Sequence, residues 1–388
     1  MKRTILYILF FLPLSLSAQT IQEQIDSLLT DPYFQTTQVS LLVYDLTADS
    51  VVFSHQPYQR LRPASCEKVV TAVIALSMLG GDHPCRTRLY ADGTQKGRTF
   101  VGDLYCVGGF DPMFGYNELQ QLVSAVRQQN IDTIRGRICA DLSMKSAKKW
   151  GEGWCWDDKN PTLSPLLYNQ QPGMEKVFLA ELKRAGVVVV AGKQGGGVTE
   201  RRCPSSARMI GEVSHPLSEV LIEMLKESNN LFAESVFFQL AASTGQRPAT
   251  DNHARNQMKT VLSLLNIDEG SYNIADGSGL SLYNYTTASN LVTLLRFAYK
   301  NPQQIYQPFL AALPIAGVDG TLKKRMVNGP ARNRVQAKTG TLTGVSALAG
   351  YATSAENHRL CFAIINQGIA SHSPARDFQD KVCEILCR

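Results

Sequence analysis

The sequence predicts an α+β fold, an α/β sandwich whose antiparallel five-stranded sheet is flanked by helices, with a smaller domain inserted into it. Three observations predict it. Two strand-like runs, QVSLLVYDL and SVVFSHQ, lie near the start, and three more, RVQAKTG, GVSALAGYAT and HRLCFAIINQG, lie near the end. A helical run, IQEQIDSLLT, precedes the first set, and another, RDFQDKVCEILCR, follows the last. Between them, from about residue 86 to 207, the texture changes to short strands and loops rich in Gly and Asp. Such a chain closes one sheet from its two ends around an interrupted middle. The expected divisions are 1–18 as a signal peptide, 19–85 with 208–388 as one discontinuous domain, and 86–207 as the insert. A length of 388 residues is too great for one ordinary core, which agrees with two units.

Each element has its own signal. Lys2 and Arg3, the apolar run ILYILFFLPLSL and the small residues of SLSAQT read as a secretory leader cut near Ala18. That run is too short to span a bilayer and Pro13 interrupts it, so export is expected and no later segment reads as a membrane span. Ile21, Ile25, Leu28 and Leu29 share one helical face. The two strand runs that follow are joined by ADS in a turn. Next comes RPASCEKVVTAVIALSML, a helix that Gly80-Gly81 ends. In the middle, NELQQLVSAVRQQNI reads as a helix capped by Asn117, with Leu119, Leu122, Val123 and Val126 on one side. Strands TIRGRICA and VVVVAG follow, with the Trp-rich loop WGEGWCWDD between them. HPLSEVLIEMLKES, with Pro216 in its first turn, and LFAESVFFQLAA are further helices.

Composition excludes several classes. Hydrophobic content of 44% and charge of 19% are ordinary for a globular protein, with no sign of disorder or repeats. The net charge of +6 is spread along the chain without a basic block, so no nucleic-acid partner is expected. None of the nine cysteines forms a CxxC pair, and Cys383 and Cys387 have no His partners, so neither a metal nor another cofactor is implied. There is no GxSxG elbow, HExxH, Walker loop or Rossmann fingerprint. The six histidines sit in no catalytic setting, which leaves a Ser/His/Asp triad unsupported.

One pair remains that makes chemical sense. Ser65 and Lys68 stand three apart at the head of the apolar segment VVTAVIALSML. On a helix that starts at Ser65 they share one face of the first turn. The first amides of a helix lack partners, so the Ser65 N–H can point at a developing oxyanion. The positive end of the helix dipole and an apolar surrounding both disfavour a protonated Lys68. A lysine pushed toward neutrality can take the proton of a serine hydroxyl. SxxK recurs at Ser146–Lys149, in a polar stretch with no apolar helix after it, where it reads as accidental. A second element, Ser228-Asn229-Asn230, falls between two helices; SxN also recurs at Ser271-Tyr272-Asn273. The third is Lys338-Thr339-Gly340 at a strand end, followed by Thr341. Lys338 supplies positive charge, Thr339 and Thr341 hydroxyls, and Gly340 room for a substrate against the strand. The three in this order are far more specific than any one, and they are the SxxK, SxN and KTG set of active-site serine β-lactamases and penicillin-binding proteins.

On PASCEK (63–68), SNNLFAE (228–234), DGSGLS (276–281) and KTGT (338–341), the chain resembles the penicillin-binding D-alanyl-D-alanine carboxypeptidase/endopeptidase family of low molecular mass. GDLYCVGGFDP (102–112) and GWCWDD (153–158) add support, and the likeness covers most of the mature chain. The resemblance implies a β-lactamase/transpeptidase-like fold and a periplasmic enzyme that cuts peptidoglycan stem peptides and cross-links. In it Ser65 attacks the carbonyl between two D-alanines and Lys68 accepts its proton. The N–H groups of Ser65 and Thr341 form the oxyanion hole, Ser228 relays the proton to the leaving amine, and Asn230 holds the substrate backbone. Lys338, Thr339 and Thr341 receive the terminal carboxylate; Gly340 lies between them. β-Lactam antibiotics would mimic the dipeptide and trap the acyl-enzyme. The gap between Ser65 and Ser228 is much longer than class A β-lactamases have, and suits a carboxypeptidase with an inserted domain. The alternatives are a β-lactamase and an inactive wall-binding protein of the same fold. Cys66, Phe110 and Asn229 depart from the family pattern without removing a catalytic group. Asp276 and Ser278 read as a tight turn, with Gly277 and Gly279 permitting positive φ.

Overall fold

The fold is seen in a computed structural model that describes residues 20–190 and 197–388. The expected signal peptide, 1–18, lies outside the described residues. Alternating side chains and chain closure build the first sheet as expected. Its order is Val335–Leu342, Val345–Thr353, Arg359–Gln367, Gln38–Asp45, Ser50–His55. Every neighbouring pair is antiparallel, so the N-terminal hairpin completes a sheet begun by the last three strands. The period of two decides which face each residue serves. In Arg359–Gln367, Phe362 and Ile364 pack with Ile25 and Phe378 of the helices Ile21–Leu29 and His372–Leu386. Cys361, Ala363 and Ile365 point the other way, into the larger core around the helix Glu67–Leu79. The chain ends are thus stapled across one face, while the opposite face carries the helices Glu67–Leu79, Leu217–Lys226, Asn230–Ala242 and Ala288–Tyr299.

A second, seven-stranded sheet has its own core of Leu89, Leu104, Leu122, Val126 and Phe178. The chain leaves and returns at paired residues, since Pro84 lies opposite Pro216, and Leu217 N–H donates to His83 O at 2.8 Å. The strand Arg208–Pro216, which the sequence reading grouped with the other unit, pairs here with Pro84–Lys96. Three local expectations also change. The helix expected to be capped by Asn117 starts at Tyr116 behind Gly115, whose N–H donates to Glu118 at 2.9 Å. TIRGRICA is two strands, Thr133–Arg135 and Ile138–Asp141. A helix not expected, Met174–Arg184, buries Met174, Phe178 and Leu182; this spacing of four is the signal that could have shown it. Among the described residues no helix is long and apolar enough to cross a membrane.

Candidate active site

The PASCEK segment forms a short 3-10 turn, Ala64–Cys66, which runs into the helix Glu67–Leu79. Ser65 therefore sits in that turn, two residues ahead of the α-helix, rather than on its first residue. Ala64 has φ 47°, the left-handed region that costs a non-glycine residue energy and is held only by surrounding structure. Every residue from Glu67 to Leu76 is buried, so the helix is apolar all round and Lys68 is committed to the interior.

The Lys68 ammonium spends its three donors on three acceptors: Ser65 Oγ at 2.9 Å, Asn230 Oδ1 at 2.7 Å and the Ser278 carbonyl at 2.7 Å. Burial holds the Lys68 pKa well below the ordinary lysine value, and the charge of Lys338 pushes it the same way. Both causes favour the neutral amine that a general base needs. The helix dipole expected from the sequence is not needed to explain the shift.

Lys338 is equally buried. Its ammonium donates to Ser228 Oγ at 2.8 Å and to Thr339 O at 2.8 Å. Burial lowers its pKa to about 8, so the positive charge expected at this position is conditional on pH. Ser228 lies between the helices Leu217–Lys226 and Asn230–Ala242 with φ 61°, a second strained residue at the site. Asn229 caps the second of these helices, accepting from Leu231 N–H at 3.0 Å, and its amide nitrogen donates to Gln170 Oε1 at 3.1 Å, a bond an ionised acid could not make.

The three motifs of the sequence are thereby brought together: Ser65 with Lys68, Lys68 with Asn230, and Ser228 with Lys338. Gly340 also has a packing role. A Cβ there would stand 2.6 Å from Pro63 O and 3.2 Å from the Ala64 side chain, so its absence admits the serine turn against the strand. The Cys66 thiol completes this seam by donating to Lys338 O at 3.2 Å. Thr339 Oγ1 is hydrogen-bonded to Thr321 Oγ1 at 2.8 Å, and Thr341 is exposed with Arg376 Nη2 at 3.4 Å. The accidental pairs stay outside: no hydrogen bond links Ser146, Lys149, Ser271 or Asn273 to these residues. No histidine contacts Ser65; His215 pairs with Asp111 at 2.8 Å and His358 with Asp45 at 2.6 Å.

Sequence reasoning missed the buried Glu67 and Glu234 near Lys68, while Asp276 holds the tight turn expected of it. Glu234 accepts from Gly277 N–H at 3.1 Å and Ser278 N–H at 2.9 Å, and so holds the turn whose carbonyl receives Lys68. Asp276 accepts from Gly279 N–H and Ser281 N–H at 2.7 Å each, and from Trp154 Nε1 at 2.7 Å, tying the Trp-rich loop to the same turn. Burial, joined by the charge of Asp276, drives the Glu67 and Glu234 carboxyls well above the usual range. The signal was present in DGSGLS and SNNLFAE, but nothing local says that an acid there faces a lysine from another motif.

The chain matches the D-Ala-D-Ala carboxypeptidase 3 (S13) family over residues 21–167 and 162–388. It is 28% identical to a D-alanyl-D-alanine carboxypeptidase of Actinomadura sp. (strain R39), across 91% of this chain and 82% of that one. It is 25% identical to the D-alanyl-D-alanine carboxypeptidase DacB of Haemophilus influenzae, across 93% of this chain and 92% of that one. The crystal structure of penicillin binding protein 4 from Haemophilus influenzae superposes with TM-score 0.83 at 21% identity, covering 92% of this chain and 98% of that one.

Proposed function

The chain belongs to the D-Ala-D-Ala carboxypeptidase 3 (S13) family and is a serine-type D-Ala-D-Ala carboxypeptidase, and from this premise we propose how its own residues carry the reaction. Ser65 is the nucleophile. Neutral Lys68, 2.9 Å from Ser65 Oγ, takes its proton as the hydroxyl adds to the carbonyl between two D-alanines. The N–H groups of Ser65 and Thr341 receive the oxyanion. Ser228, held at 2.8 Å by Lys338, passes its proton to the leaving D-alanine amine as the C–N bond breaks and takes in its place the proton that Lys68 received from Ser65, so both residues end as they began. Asn230 commits its carbonyl oxygen to Lys68, which leaves its amide nitrogen for the substrate backbone. Lys338, Thr339 and Thr341 face the terminal carboxylate, with Gly340 spacing them. Water then attacks the ester and restores Ser65.

The observation that carries this reading is the joint placement of Lys68, bonded at once to Ser65 and Asn230, beside Lys338 bonded to Ser228. The substrate class is the stem peptide of the bacterial wall, with cross-links ending in the same D-Ala linkage cut as well. β-Lactams acylate the same serine. Lys2, Arg3 and the apolar run after them support export to the periplasm. The segment from Pro84 to Pro216 acts as an inserted domain beside this centre. Intact-mass measurement after penicillin G treatment tests the assignment: a lasting adduct forms on the chain and is absent from Ser65→Ala. Rapid loss of the adduct with turnover of the drug would favour a β-lactamase, and no adduct at all would favour a wall-binding protein without activity.

A further inference from the structure

A cleft of about 630 Å³ opens where the inserted sheet meets the helical unit, and five basic side chains line it: Lys145, Lys149, Arg201, Arg202 and Arg247. Two of these are occupied. Lys145 is buried and donates to the carbonyls of Ser146 at 2.7 Å and Lys148 at 2.6 Å, with its ammonium 4.9 Å from the centre of the Phe238 ring. Arg201 is paired with Asp103 at 2.6 Å and with the Tyr105 hydroxyl. Of the two acids in the wall, Asp141 turns inward and accepts from Ser143 N–H and Cys203 N–H at 2.8 Å each. That leaves Lys149, Arg202 and Arg247 exposed, with no side-chain partner among the described residues, against Glu200 alone.

The cleft adjoins the catalytic centre. Lys159, Asn160, Pro161, Gln170 and Gln171 line a smaller hollow of about 260 Å³ that ends on Asn229 and Asn230, and Asn230 is bonded to Lys68. The next residues along the same two segments, Thr162–Pro165 and Pro172, line the basic cleft. The same two segments therefore line both the hollow at Asn230 and the cleft that holds the three cations. A cleft lined by one sign of charge concentrates field, and arginine forks match carboxylates in two parallel bonds.

We propose that this cleft binds the free carboxylates of the second peptide strand in a cross-linked wall fragment while the first strand lies at Ser65. The proposal rests on the reading that this chain acts on such peptides. The cleft adds affinity for the polymer and leaves the chemistry at the dipeptide untouched.

The test reads binding without turnover. A fluorescent cross-linked muropeptide dimer is titrated by anisotropy into the Ser65→Ala chain, with and without the pair Arg202→Glu and Arg247→Glu. The charge reversals are expected to weaken the dimer about ten-fold and to flatten its salt dependence. A labelled N-acyl-D-Ala-D-Ala dipeptide, and penicillin labelling of Ser65 in the otherwise unaltered chain, are expected to stay unchanged. Equal dimer affinity in both forms, no measurable dimer binding in the parent, or a parallel loss for the dipeptide would each overturn the proposal. If penicillin labels neither form while the dimer still distinguishes them, the catalytic reading fails and the cleft assignment stands.

Discussion

The Lys338 ammonium lies 2.8 Å from the Ser228 hydroxyl, although 110 residues separate them in sequence. The charge on one end of that bond and the burial around it control when the site can work.

Activity should follow a bell-shaped pH curve. In the proposed role Lys68 must be neutral to serve as a base, and its lowered pKa brings that form in well below the ordinary lysine range, so the rate should rise with pH on the acid side. Lys338 acts only when charged, and its pKa of about 8 makes the rate fall as pH passes that value. Penicillin acylation measured between about pH 6 and 10 checks this. In Lys338→Arg the alkaline limb should move upward, because a guanidinium stays charged.

The same burial makes a stability prediction of definite sign. Lys338 titrates at about 8 folded and near the ordinary lysine value, about 10.4, when unfolded. Between these values the unfolded chain binds the extra proton, so this group's penalty is relieved as pH rises through that window. Lys338→Met should remove that rise. Thermal unfolding at pH values spanning about 7 to 10, with the Met variant as control, reads it; an identical slope in both proteins would count against the burial argument.

Replacing Lys68 by Met removes the base while roughly keeping its volume. Acylation should fall by about 10² to 10⁴. The Ser278 carbonyl and Asn230 Oδ1 also lose their donor, which costs about 1–3 kcal/mol of stability. Lys68→Arg keeps a cation but cannot release its proton at working pH, so it should be inactive as well. Stopped-flow acylation and a denaturant titration separate the two effects.

Gly279 and Gly80 make a matched pair. Both have φ 79°, but a Cβ on Gly279 would stand 1.9 Å from Ala64 O, whereas one on Gly80 meets nothing within 4 Å. Gly80→Ala should cost only the backbone strain, about 1–2 kcal/mol, with normal acylation. Gly279→Ala should displace the Ser65 turn and slow acylation by at least about ten-fold, a barrier change of about 1.4 kcal/mol. Equal acylation by the two variants would show that the contact with Ala64 is unimportant.

Cys66 follows Ser65 directly but should be chemically quiet. Burial pushes its thiol pKa up to about 12, and its hydrogen goes to Lys338 O. Alkylation of the folded chain should mark the half-buried Cys155 and Cys203 before Cys66, with Cys66 labelled only on unfolding. Cys66→Ser keeps the donor and should retain activity; peptide mapping and an acylation assay check both statements.

Much of this was readable from local signals. The alternation in HRLCFAIINQG and GVSALAGYAT named core strands, because a period of two is imposed by the backbone itself. An apolar run around Lys68 named a buried lysine, because solvent has no other way to be excluded from every side of a helix. The Arg208–Pro216 strand went unread and the domain boundary was placed at 208, because its partner, Pro84–Lys96, is far away in sequence and its own pattern does not say which sheet it joins.

By itself, then, the order of residues determined the serine turn, its lysine three positions on, and the strand that carries Lys338. Tertiary structure alone decided that Asn230 and Ser278 share Lys68, that Gly340 makes room for Pro63, and that Glu67 and Glu234 lie buried in the same interior. The physical reason is range. Periodicity and capping act over a turn or a few residues, whereas the Lys68 contacts with Asn230 and Ser278 join positions 162 and 210 residues apart. Such contacts exist only once the sheet has closed and water has been driven from between its faces.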